Sequence, residues 1–265
     1  MLDKPARKHH VGLALSGGGA KGFVHVGILK AFDEYGIKPE IISGVSAGSI
    51  VSVLYASGYG YKEILDMFKN SHFSDFINLG IPKDGFFKLD GLAKFLKANL
   101  PVANIEELKL PTIVCATDFD HGVPVKFESG GIIDRVIASC SIPIIFRPHK
   151  INGINYVDGG VVRNLPAWAI RRQCDILIGA NCQPIVNKPY KPTLLSVAQR
   201  SFDLLVKYNA TPDMRLCDVV IKTEEASNYT AFSIQEMDKL FNIGYQKAVQ
   251  VIESTKLIDK LSKII

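Results

Sequence analysis

Residues 11–32 read VGLALSGGGAKGFVHVGILKAF, and residues 41–49 read IISGVSAGS. Val11–Leu15 is a short apolar run ended by glycines, the pattern of a strand buried on both faces. From Ala20 to about Tyr35, Val24, Ile28, Leu29 and Phe32 recur at helical spacing, with Gly36 placed to cap the end. Ile41 and Ile42 form a second, very short strand that runs straight into GVSAGS, and a helix extends from there to about Ser57. Two successive strand–loop–helix units predict a mostly parallel sheet with helices packed on it.

The same reading continues downstream. Pro111–Thr117 and Val123–Glu128 are strands, Ile132–Cys140 is a helix, and Asn152-Gly153 marks a tight hairpin. Asp175–Ala180 and Asp218–Ile221 are further strands; Leu194–Lys207 and Gln235–Glu253 are helices. Gln183–Pro192 is rich in Pro and Lys, but strand and helix signals continue on both sides, so it reads as a loop within one domain. Residues 70–90 are irregular and carry Phe73, Phe76, Phe86 and Phe87, which either pack in the core or form an apolar wall or lip at the surface. Leu257, Ile258, Leu261, Ile264 and Ile265 have helical spacing and are expected to dock on the domain.

The chain has 265 residues, 47% hydrophobic and 22% charged, enough for a sizeable core. Its net charge of +5 is spread out with no basic block, which gives nucleic-acid binding little support and leaves a weak attraction to anionic membrane surfaces open. Five cysteines, Cys115, Cys140, Cys174, Cys182 and Cys217, show no C-x-x-C pairing, so neither a disulfide framework nor a zinc site is expected. Residues 1–10, MLDKPARKHH, lack the apolar stretch of a secretory signal and read as a mobile segment. Nothing approaches 18 consecutive apolar residues. The expectation is a cytoplasmic protein with peripheral membrane contact left open, whose oligomeric state is not legible.

Chemistry concentrates in the glycine-flanked turns. Gly17-Gly18-Gly19-Ala20-Lys21-Gly22 fits G-x-G-x-x-G, a loop able to hold a dinucleotide pyrophosphate or to offer backbone N–H groups to an anion that exists only during a reaction. A dinucleotide site needs a carboxylate at the end of the second strand, where Ile42-Ser43-Gly44 has none. The Walker pattern fails because Gly22 follows Lys21. That strand instead ends in Gly44-Val45-Ser46-Ala47-Gly48, the G-x-S-x-G of a nucleophile elbow, followed by a helix whose N-terminus favours negative charge. Of the six histidines, none follows His149, so the order of an α/β-hydrolase triad is not met. His25, one turn into the first helix, reads as packing or capping. Asp158, before Gly159 and Gly160, is either a simple turn residue or a base exposed at a strand end; Asp118 and Asp120 are the nearest competing carboxylates.

The glycine loop, the serine elbow and Asp158-Gly159-Gly160, in this order, resemble the patatin-like phospholipase family nearly end to end. Ala138–Pro143 through Phe146 and Pro148, and Gly244-Tyr245 with Ala248, are similar to further family signatures. The resemblance implies a single domain over residues 1–265 with a three-layer α/β/α fold and a mostly parallel central sheet. It also implies lipid ester hydrolysis by a Ser–Asp dyad without histidine. In that reading Ser46 attacks the ester carbonyl, Asp158 moves the protons, and the amides of Gly17, Gly18 and Gly19 stabilise the oxyanion. Gly22, Gly44, Gly48, Gly159 and Gly160 let the chain approach closely. No metal or organic cofactor is called for, and the expected partner is a lipid or acyl-ester substrate of phospholipase A or lysophospholipase type. Lys21 would orient the loop, meet a lipid phosphate, or stand solvated at the helix start. Two other readings stay open: a hydrolase of soluble acyl esters or thioesters, and a non-enzymatic lipid-binding module on the same fold. A NAD-binding protein is a distant third.

Overall fold

The alternation of apolar strands and helices is realised in a computed structural model, which describes residues 9–69, 87–183, 190, 192–230 and 233–263. In chain order these residues form β1 (His9–Leu15), α1 (Phe23–Glu34), β2 (Ile41–Val45), α2 (Ala47–Ala56), α3 (Tyr61–Lys69) and α4 (Asp90–Asn99). There follow β3 (Thr112–Asp118), β4 (Val123–Phe127), α5 (Ile132–Cys140), β5 (His149–Ile151), β6 (Ile154–Asp158), α6 (Ala167–Ile170) and β7 (Cys174–Asn181). The chain continues through α7 (Leu194–Met214), β8 (Val219–Lys222), α8 (Met237–Ser254) and α9 (Leu257–Leu261). The Phe-rich segment and the Gln183–Pro192 loop fall largely at residues 70–86, 184–189 and 191, outside the described residues.

Strands β3, β2, β1, β7 and β8 lie side by side and parallel. The sheet is antiparallel only where β4 and β6 pair with β3 and where the β5–β6 hairpin turns at Asn152 and Gly153, both at positive φ. The parallel strands are buried on both faces, which is why they read as continuous apolar runs rather than alternating ones. Val11, Leu13, Leu15, Ile42 and Ile178 face a layer built from α1, α3, α8 and α9. Ala14, Ile41, Val45 and Leu177 face the opposite layer, with Leu165, Ile170 of α6 and Ala210 of α7. A third cluster joins α2, α4 and α5 over Val114. The result is the expected three-layer α/β/α arrangement.

Two expectations change. His9 and His10 are the first residues of β1, with His9 in register with Cys174, rather than part of a terminal tail. Helix α7 runs past Lys207 to Met214, with Pro212 inside its last turn. Asp213 explains the extension: it is fully buried, accepts two hydrogen bonds from Arg163 at 2.6 and 2.8 Å, and accepts a third from the Trp168 amide. The terminal helix docks through Leu257 and Leu261, both buried, while Ile258 is exposed and Ile264 and Ile265 lie outside the described residues.

Helices α1 and α8 cross at contact distance. A Cβ on Gly27 would fall on the Phe241 carbonyl oxygen, and one on Gly244 on that of Val24, so backbone meets backbone there. Gly27→Ala should therefore force the helices apart and destabilise the fold by about 3 kcal/mol or more, an overpacking effect with no side chain able to yield. Urea unfolding checks this; an unchanged midpoint would mean the crossing is looser than described.

Candidate active site

The elbow is a backbone feature before it is a chemical one. Ser46 follows the last residue of β2 and has φ 51° and ψ −124°, a conformation rarely adopted by residues with a Cβ and costing on the order of 1–3 kcal/mol. Its surroundings hold it there. The Ser46 amide donates to Ser139 Oγ at 2.7 Å, and that hydroxyl donates on to the Cys115 carbonyl at 2.6 Å. The Ser49 hydroxyl donates to the Ser46 carbonyl at 2.6 Å. The turn closes so tightly that a Cβ on Gly44 would strike the Gly48 carbonyl, and one on Gly48 that of Leu15. Gly22, at the end of the glycine loop, packs on Ala47 just after the serine.

Strand β3 brings the second group to the same point. One edge of β3 is covered by β4 over residues 114–118. Both β2, paired over 112–115, and β6, paired over 116–118, must therefore lie on the other edge, end to end. Val45 is opposite Cys115 and Asp158 is opposite Ala116, so the residues ending β2 and β6 occupy adjacent stations on one ruler. Ser46 and Asp158 consequently line one cleft, with Gly17, Gly18, Gly19, Asn164 and Gln183. Its apolar wall is formed by Ile142 and Ile145 on one segment and Phe202 and Val206 on α7.

Asp158 is 2% exposed and accepts the Gly160 amide at 2.7 Å. Burial pushes its carboxyl up to about 6, although hydrogen bonding from the Ser46 hydroxyl and the Gly160 amide pulls the other way. Gly159 packs against Val45 and the Cys115 carbonyl. Asp118 and Asp120 are engaged elsewhere: Asp118 with the His121 ring and amide, Asp120 with Asn155. Asp203 of α7 is the other carboxylate on the cleft wall among the described residues, and the sequence reading passed it over.

The glycine loop differs from expectation in one detail. The Gly17 amide already donates to the Asn164 carbonyl at 3.3 Å, whereas the amides of Gly18 and Gly19 have no acceptor among the described residues. Beneath the loop, His25 is fully buried with Nε2 2.8 Å from the Ser16 carbonyl oxygen, so it ties α1 to the loop and does not reach the cleft. Lys21 is buried rather than solvated, its Nζ 3.3 Å from Gln183 Oε1. Asn164, another residue missed from sequence, is 1% exposed and its Oδ1 has no donor among the described residues. Its Nδ2 lies 3.5 Å from the Gly17 carbonyl, and its amide donates to Asn209 of α7. Among the described residues no group of three His, Cys, Asp or Glu side chains is placed to hold a metal ion.

Comparison with known proteins identifies the family. Residues 13–170 match the family model of patatin-like phospholipases, and the chain belongs to that family. It is 25% identical over 272 residues to a lysophospholipase of Kluyveromyces lactis, covering 89% of this chain and 18% of that one. It is 31% identical over 169 residues to patatin-like phospholipase domain-containing protein 7 of Rattus norvegicus, covering 61% and 12%. The chain thus spans less than a fifth of the length of either relative. Among solved structures it is similar to VipD from Legionella pneumophila, with a TM-score of 0.53 and 17% identity over 94% of this chain and 67% of that one, which is a likeness of fold.

The Asp158 environment has a thermodynamic signature. A carboxyl raised from 3.8 to about 6 by folding binds more protons in the native state, so stability falls as pH rises through that window. At neutral pH the ionised group destabilises the fold by about 3 kcal/mol. Asp158→Asn keeps the acceptor for Gly160 and removes the charge. It should melt at a higher temperature than the wild type above pH 6, the gain vanishing as pH drops towards 3.8. A variant melting below the wild type at every pH would contradict this electrostatic account.

Proposed function

We propose that the chain is a serine acyl hydrolase cleaving carboxylic esters of lipids, of phospholipase A or lysophospholipase type, with Ser46 and Asp158 as a two-residue catalytic dyad. The observation that carries this reading is the end-to-end meeting of β2 and β6 on β3. It sets a strained serine against a buried carboxyl in a cleft with an apolar wall. The activity of the lysophospholipase relative points to the same substrate class.

In the proposed reaction the Asp158 carboxylate accepts the Ser46 hydroxyl proton as Oγ attacks the ester carbonyl. The tetrahedral oxyanion is held by the amides of Gly18 and Gly19, the loop donors without an internal acceptor. Collapse of that intermediate breaks the ester bond, Asp158 returns the proton to the departing alcohol, and Ser46 is left acylated. Water then gives a proton to Asp158 as its oxygen attacks the acyl carbon; collapse of the second tetrahedral intermediate breaks the bond to Ser46 Oγ, Asp158 returns the proton to Oγ, and the acyl group leaves as the acid. Ile142, Ile145, Phe202 and Val206 offer the chain an apolar lining.

Ser46→Ala should remove both ester hydrolysis and fluorophosphonate labelling while leaving the circular dichroism spectrum unchanged. Retained turnover in this variant would falsify the assignment. Asp158→Asn should lower kcat by about 10²-fold or more. Because the base acts deprotonated, wild-type kcat/KM should fall about tenfold per pH unit below about 6. His25→Gln, which alters a support behind the loop, should leave the position of that acid limb where it is; a shift of the limb would bring the histidine into the proton transfers.

A further inference from the structure

Helix α7 has two apolar faces. Phe202 and Val206 point into the catalytic cleft. On the outside, Leu194, Val197, Leu204, Leu205 and Tyr208 recur at helical spacing and are 90%, 45%, 37%, 53% and 67% exposed. Eleven large hydrophobic residues are exposed among the described residues, and five of them belong to this one helix. A sixth, Ile144, stands in the loop whose Ile142 and Ile145 form the rest of the cleft's apolar wall. Ile144 is 57% exposed and has φ 75°, a left-handed conformation that is an outlier for a β-branched residue. Backbone strain there holds an isoleucine out into water. Scattered surface leucines need no explanation, but apolar residues gathered on both segments that wall a cleft do.

Charge narrows the choice of occupant. Arg200 and Lys207, two helical turns apart, run along one edge of the outer stripe, and Arg147 is exposed three residues beyond Ile144. The two acidic residues of α7 do not face outward: Asp203 lines the cleft and Asp213 is buried against Arg163. An apolar stripe edged by cations, with no outward carboxylate on its helix, matches an anionic bilayer interface better than a protein surface.

We propose that the outer face of α7, together with Ile144, is a docking surface for an anionic lipid bilayer, seating the mouth of the cleft against the membrane. Apolar side chains enter the headgroup boundary while Arg200 and Lys207 meet lipid phosphates. The same helix then walls the cleft and touches the membrane, so an acyl ester leaving the interface meets Phe202 and Val206 first. The proposal rests on the hydrolase reading for its purpose, but the binding itself does not.

The test is co-sedimentation of the full chain with vesicles of phosphatidylcholine, with and without phosphatidylglycerol. It uses wild type, Ser46→Ala, Leu194→Glu/Leu205→Glu and Arg200→Gln/Lys207→Gln. Both leucines are exposed, so the first double variant should keep the wild-type melting temperature and its hydrolysis of p-nitrophenyl butyrate. Wild type and Ser46→Ala should partition alike onto phosphatidylglycerol-containing vesicles. The leucine variant should lose about tenfold or more in partition on both vesicle types, and the Arg200/Lys207 variant only the preference for anionic lipid. Equal partition of the leucine variant and wild type, or no vesicle binding by wild type, overturns the proposal. So does self-association of wild type without lipid that the leucine variant abolishes while vesicle binding is unaffected, which would give the surface to a second copy. Vesicle binding by a wild type that hydrolyses no ester supports the docking surface and strikes only the proposed reaction.

Discussion

Strand β3 is the constraint on which the site depends. Because β4 covers one of its edges, β2 and β6 are left to share the other, and they arrive from opposite directions. Two strands that run towards each other on one edge must both stop where they meet. The chain has to leave the sheet at that point, and it does so through two tight turns. The first is the Ser46 elbow, and the second is Asp158-Gly159-Gly160, where the Asp158 side chain caps its own turn by accepting the Gly160 amide. Hydrogen bonds of β3 thus fix a spacing that no loop could hold as well, since ladder register is set over several residues while a loop is set by its ends alone. The Cys115 carbonyl, at the same station, accepts from the Ser139 hydroxyl that receives the Ser46 amide.

Around that junction α7 acts as a clamp. Asn209 donates from its side chain to the Gly160 and Val161 carbonyls and accepts the Asn164 amide, so one side chain closes the loop that follows Asp158. Four residues further on, Asp213 holds Arg163 and the start of α6. A buried carboxylate with bidentate guanidinium and amide partners is costly to break, because the group left behind stays buried and unpaired. The end of α7 is therefore bound firmly to the Asp158 turn through Asn209 and Asp213, while residues 194–208 of the same helix carry the exposed apolar stripe. Whatever meets that stripe is mechanically joined to the wall of the cleft.

Much of this was legible in the sequence because the relevant signals are local. A strand that ends in glycines, a serine between glycines and an Asp-Gly-Gly turn each announce a backbone conformation within five residues. What escaped reading depends on contacts distant along the chain. Nothing near Asp158 states that it pairs with Ala116, and nothing near Gly17 states that its amide is taken by Asn164, 147 positions away. The setting of Lys21 stays open in the sequence because Gln183, which its Nζ meets at 3.3 Å, lies 162 positions away. Helix α7 runs seven residues past Lys207 although Pro212 disfavours helix, and what accompanies the extension is the distant burial of Asp213 against Arg163. Asn164 was passed over for the opposite reason, since an asparagine in a loop is usually a turn residue and only burial of its Oδ1 without a donor gives it meaning.

Burial links the fold to the proposed chemistry most closely. An aspartate in water is too weak a base to take a proton from serine at useful rates. This one is enclosed by a sheet covered on both faces, by Val45 and by α7, and burial raises its carboxyl to about 6. Hydrogen bonds from the Ser46 hydroxyl and the Gly160 amide limit that rise. A drier site would give a stronger base that is mostly protonated, and a wetter one an ionised group with little affinity for protons. A value just below neutrality lies between these limits. It would let the proposed dyad work without histidine, whose ordinary range the buried aspartate has entered. In the proposed reaction the two buried residues ask different things of their surroundings: the hydrogen bonds around Ser46 aim it, whereas burial of Asp158 is what would make it a base.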